Sequence, residues 1–147
     1  MARHTVGAKT TNGGTSTLPA ISLYNTAAIV FKLREVGLFN TTNTATDMRL
    51  VSCIAAGTQG TALVEFQYDS GSGVPVATGF NSHSAGTPVG VDAGYRAALG
   101  AAIGAGVIWT MGDSGIRVPV GIANGMGIIP ADGATGQVLQ AYFVWDE

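Results

Sequence analysis

The sequence predicts an all-β protein: an antiparallel β-sandwich or jelly-roll-like subunit of about eight short strands with an extended N-terminal arm. Apolar and β-branched residues come in short runs, several alternate with period two, and none is long enough to cross a membrane. The breaks between runs are Gly, Asn, Asp and Pro, with glycine alone supplying 22 of 147 residues. Charged residues make up only 11% of the chain, against an average near ~25%. A β-rich chain with so little charge is expected to cover part of its surface with copies of itself or with a partner.

Residues 1–18 are expected to form the arm and residues 19–147 the sandwich domain. Thr, Gly, Ser and Asn dominate residues 2–18, a composition that cannot order itself inside a core. The arm reading has it lying across a neighbouring subunit, with Thr10 and Thr11 as contacts; a frayed terminus is the alternative. Residues 21–24 and 28–36 then read as strands. In the second, Ile29, Phe31, Leu33 and Glu35 alternate with Val30, Lys32, Arg34 and Val36. A helix over residues 27–38 competes, but β-branched content and flanking Asn and Thr turns favour a strand.

Residues 48–55 and 62–68, joined by a turn at 56–60, read as a hairpin, with Val64, Phe66 and Tyr68 on one face. Residues 69–88 are broken throughout by Gly, Ser and Pro and read as a long loop that binds something or covers an interface. Phe80 and His83, with Tyr95 beyond, are its candidate contact residues; the alternative is that such aromatics pin the loop to its own sheet. Residues 96–106 read as a glycine-rich extended stretch. Residues 106–130 then suggest a three-stranded meander, with Gly112-Asp113-Ser114-Gly115 as its first corner and Pro130 as its stop. Residues 137–145 form a final strand apolar on both faces, expected to be central or covered by a neighbouring subunit. Val138, Tyr142, Val144 and Trp145 are the candidate subunit-interface residues.

Gly112-Asp113-Ser114-Gly115 is also the one peptide that matches the surroundings of a serine nucleophile. The next residue is Ile116 where that motif continues with glycine, and taking His83 as base and Asp92 as orienter keeps the order of base, orienter and nucleophile but draws both from a loop without a supporting motif. A turn explains the same residues, with Gly115 at positive φ and Asp113 or Ser114 bonded back to the backbone. No catalytic activity is expected. Cys53 is the single cysteine and reads as a small buried apolar group. His4 and His83 lack metal-site spacing, no calcium loop or phosphate-cradling loop is present, and no cofactor is expected. A net charge of −2 with scattered Lys and Arg argues against nucleic acid. The first residues lack the apolar core of a signal peptide, so synthesis in the cytoplasm is expected.

The Thr/Gly/Asn-rich start, residues 38–46 (LFNTTNTAT), residues 99–110 (LGAAIGAGVIWT) and the ending Tyr142-Phe143-Val144-Trp145-Asp146-Glu147 resemble small virion proteins of tailed bacteriophages. The resemblance implies a sandwich or jelly-roll subunit that sits on the virion surface as a trimer, as capsid decoration (cement) proteins do. Its partners would be sister subunits and the major capsid protein, with neither nucleic acid nor membrane. The alternative is a tail or head-fibre module that binds a host glycan or receptor.

Overall fold

The computed structural model describes residues 1–26, 29–132 and 134–147. These contain twelve strands and no helix: β1 Arg3–Lys9, β2 Ile21–Asn25, β3 Phe31–Asn40, β4 Thr46–Cys53, β5 Thr61–Ala62, β6 Phe66–Gln67, β7 Ala77–Asn81, β8 Val89–Leu99, β9 Gly106–Thr110, β10 Ile116–Val118, β11 Gly125–Pro130 and β12 Leu139–Asp146. The expected count was about eight. Two antiparallel sheets result. The first runs β10-β3-β12-β1-β6 with β9 also on β3, and the second runs β5-β7-β2-β11-β4-β8.

The two sheets enclose one apolar core, in which Val6, Phe31, Leu33, Val36, Leu38, Phe143 and Trp145 of the first sheet meet Ile21, Leu23, Met48, Leu50, Met126 and Ile128 of the second. Removing each large side chain of this kind from water contributes roughly 1.5–3 kcal/mol. Period two in β3 puts Phe31 and Leu33 inward, and a bulge at Arg34 then hands the inward position to Val36 and Leu38. Glu35, expected to share the face of Phe31 and Leu33, is displaced from it by that bulge. Ala27 and Ala28, where the competing helix and this strand were expected to begin, lie outside the described residues. The glycine-rich stretch 96–106 is extended at both ends, in β8 and at the start of β9.

None of the ten ladders joins strands adjacent in sequence. That topology accounts for four departures from expectation. Residues 3–9 are no arm: β1 lies inside the first sheet, bonded to β12 on one side and β6 on the other. Its backbone is bonded along one edge to β12 and at His4 and Thr5 to β6 on the other, and only His4, Val6 and the small Ala8 face inward. The hairpin of residues 48–55 with 62–68 does not form, because both edges of β4 are occupied by β11 and β8. Residues 62–68 instead divide, with β5 on β7 in the second sheet and β6 on β1 in the first. The expected loop of residues 69–88 contains β7, which pairs with β2. The meander is also absent, since β9 and β10 both pair with β3 while β11 crosses to the second sheet. The final strand is central in its sheet, between β3 and β1.

Candidate functional site

Three regions hold the residues that the sequence singles out. At the Gly-Asp-Ser-Gly peptide, Thr110 pairs with Glu35 and Ile116 pairs with Leu33, so residues 111–115 loop out opposite Arg34 alone. The peptide is therefore an excursion within one sheet edge rather than the corner of a hairpin. Gly115 does take positive φ, 61°, which an L side chain rarely tolerates. The anchor is Arg34: its carbonyl accepts from Met111 N at 2.9 Å, and its Nη1 donates to the carbonyls of Gly112 (3.0 Å) and Asp113. Ser114 is exposed. Neither proposed helper reaches it. His83 is buried with its Nε2 on Ser22 Oγ at 2.8 Å, and Asp92 is held by Arg96 (2.9 Å), Arg49 (3.3 Å) and Gly94 N (2.7 Å).

Arg34 also serves the outer face of the first sheet. Its Nε donates to Asp146 Oδ2 at 2.6 Å, while Arg3 Nε donates to Oδ1 at 2.7 Å and Arg3 Nη2 to Oδ2 at 3.1 Å. The hydrogen bonds from Arg3, with those from Arg34, hold the buried Asp146 carboxyl below the usual carboxylate range. Beside it Tyr142 Oη donates to Glu35 Oε1 at 2.6 Å, and burial together with that bond pushes the phenol up to about 12. Of the four expected interface residues, Trp145 is fully buried in the core and Val144 is 7% exposed. Trp145 is covered by the core, whereas Val144 lies on the opposite face between Thr5 of β1 and Glu35 of β3. Tyr142 and Val138 are half-buried, and the Val138 carbonyl accepts from Thr41 N and Oγ1 at 3.3 and 2.7 Å.

The third region lies at one end of the second sheet. Thr10, expected on the arm, is buried, its N donating to Leu139 O at 2.7 Å and its hydroxyl accepting from Leu139 N at 3.0 Å. Thr11 is exposed, and its N donates to Asn81 Oδ1 at 3.0 Å. Phe80 and His83 do come together, both around Tyr24, with ring centroids 6.2 and 5.6 Å from it. Tyr95 sits elsewhere, against Trp109 at 5.9 Å. Burial lowers the His83 pKa to about 4, which keeps the imidazole neutral at ordinary pH, and its Nδ1 has no partner. A cleft of about 540 Å³ opens here, lined by Thr11, Asn12, Thr61, Ser82, His83 and Ser84 among others. Its wall includes Ser82 at φ 49°, the one non-glycine residue at positive φ among the described residues, and such strain gathers at functional sites.

Two apolar surfaces escaped the sequence reading. Val64, Phe66, Tyr68 and Val74 are 92, 66, 59 and 82% exposed, and Phe66 and Tyr68 meet edge to face at 6.4 Å. Their period-two pattern resembles a core-facing strand, and only the short pairing of β6 at the sheet edge reveals that it faces outward. A groove of about 380 Å³ lined by Ile54, Val91, Ile116, Pro119 and Met126 runs between β10 of the first sheet and β4, β8 and β11 of the second. Cys53 at its base is buried, and burial raises its thiol to about 11, as an inert apolar group requires. Among the described residues no three His, Cys, Asp or Glu side chains gather as metal ligands, and no helix is long and apolar enough to cross a membrane. No protein family, curated protein or solved structure matches the chain.

Proposed function

We propose that the chain is a binding subunit: a capsid decoration (cement) protein that sits as a homo-oligomer, a trimer, on the surface of a bacteriophage virion and stabilises the major capsid lattice. Its two sheets are read as a β-sandwich of the jelly-roll type. The observation that carries the proposal is the exposed apolar set Val64, Phe66, Tyr68 and Val74 on a sparsely charged chain, since soluble monomers seldom expose such a patch without a partner for it.

The sheet edges support contact through side chains. β5 and β6 are two residues long, β8 carries two register irregularities, and the β9–β10 edge is interrupted by residues 111–115. Short and bulged edges resist strand addition. The mechanism is then summed apolar burial over many copies, which stiffens the shell without any chemical step.

The test is binding of the purified chain to capsid shells stripped of surface proteins, alongside sedimentation. Phe66→Lys with Val74→Lys should leave thermal unfolding unchanged and abolish shell binding; unchanged binding would remove this patch from the proposal. Copy number in purified particles then separates a lattice component, present in hundreds, from a tail or fibre component present in a handful. A second reading, a host-surface binding module, draws its support from the strained polar cleft beside His83.

A further inference from the structure

We infer that the cleft between residues 11–18, the 60–61 turn and residues 81–84 is a binding site for a neutral oligosaccharide. At about 540 Å³ it falls within the roughly 300–1,000 Å³ of small-molecule sites. No Lys, Arg, Asp or Glu lines it, so a charged ligand would lose hydration without meeting a countercharge. The hydroxyls of Thr11, Thr61 and Ser84 and the Nδ2 of Asn12 face no protein partner among the described residues. A hydroxyl both donates and accepts, so this set suits a ligand whose own groups do both, which is the chemistry of a sugar. Leu18 adds an apolar contact for a C–H face. Within the wall, His83 Nδ1 is buried and unpartnered, a polar atom that the fold itself leaves unused.

The site is built before any ligand arrives. Ser82 Oγ accepts from Thr11 N and Asn12 N, each at 3.2 Å, and Ser82 N donates to Ala20 O at 2.8 Å, which together hold the residue at positive φ. Ser84 N donates to Thr58 O at 3.0 Å. Gly60 closes the opposite wall because it has no side chain, since a Cβ there would collide with the Asn81 carbonyl oxygen. Fixed walls reduce the ordering cost of binding. This inference rests on the host-binding reading and names its ligand class.

The experiment is a titration of the ¹⁵N-labelled full chain with maltotetraose, cellotetraose and chitotetraose, with sialyllactose as the charged comparator, followed by amide shifts. At least one neutral tetrasaccharide should shift the amides of Thr11, Asn12, Thr61 and Ser84 saturably, with the same affinity from pH 5 to 8, while sialyllactose leaves them in place. Thr11→Ala with Ser84→Ala should weaken binding about tenfold, or about 1.4 kcal/mol, without changing thermal unfolding. Still amides with all three neutral sugars, or equal response to sialyllactose, overturns the inference, as does full affinity in the double variant. Particles carrying Ser84→Trp separate this from the host-binding reading: normal adsorption to cells would sink that reading while saccharide binding by the parent chain stands.

Discussion

Asp146 and His83 are both buried polar residues, one in each half of the molecule, and they are accommodated in opposite ways. Asp146 on β12 stays ionised because Arg3 from β1 and Arg34 from β3 converge on it. His83, just after β7, has no carboxylate partner among the described residues; its ring bonds to Ser22 of β2, and burial keeps it neutral. A buried group that keeps its charge must recruit countercharges from other strands, whereas a neutral one needs a single hydrogen bond. The difference also separates the surfaces above them. The Asp146 face is knit by ionic bonds that anchor the 111–115 loop, while the His83 face leaves an uncharged cleft open.

The largest effect should come from breaking the charged side. Asp146→Asn strands Arg34 against the loop and should cost about 3 kcal/mol in urea unfolding; a loss below about 1 kcal/mol would mean that the two arginines do not depend on it. Acidity distinguishes the two regions by window. Because the folded His83 pKa is near 4, below the ~6.5 of an unfolded histidine, its contribution is complete above ~6.5 and declines as pH falls towards 4. The lowered Asp146 pKa places its loss further down, below the ordinary carboxylate value of ~3.9.

His83→Gln should therefore flatten the stability curve between pH 6.5 and 4, on the order of 2–3 kcal/mol, and leave the more acidic limb intact. The reverse pattern would exchange the roles assigned to the two residues. Ser22→Ala, which removes the one hydrogen-bond partner of the His83 ring among the described residues, should cost about 1–2 kcal/mol at pH 7, and a loss below about 0.5 kcal/mol would show that this bond contributes little. Ser114→Ala should lie within about 0.5 kcal/mol of the parent. Any esterase or peptidase activity that this substitution abolished would restore the catalytic reading of the peptide.

Much of the inside–outside pattern was legible along the chain. Phe31, Leu33, Met48, Leu50, Cys53 and Phe143 are apolar, sit in period-two or two-faced runs and are buried. Val36 alternates in sequence with Phe31 and Leu33 yet faces the core with them, because the bulge at Arg34 depends on what lies on either side of β3. The contact candidates fared unevenly for a similar reason. Phe80 and His83 are near in sequence and share Tyr24, but Thr10 was drawn into the core by Leu139, a partner far along the chain. Nothing around residue 82 signals the cleft, whose walls are three separate segments.

The sequence by itself determined that this chain is β-rich, where β2, β4, β9, β11 and β12 begin and end to within a few residues, and many of the side chains that leave water. Those properties follow from side-chain chemistry and local backbone preference, which act within a few residues. Only the tertiary structure decided which strands pair, because every ladder joins strands that are not neighbours in sequence. A glycine-rich turn such as residues 112–115 looks the same to the local chain whether it closes a hairpin or bulges from an edge. The difference lies in β3, one backbone edge of which receives both β9 and β10 and whose Arg34, 78 residues before Gly112, holds the loop between them.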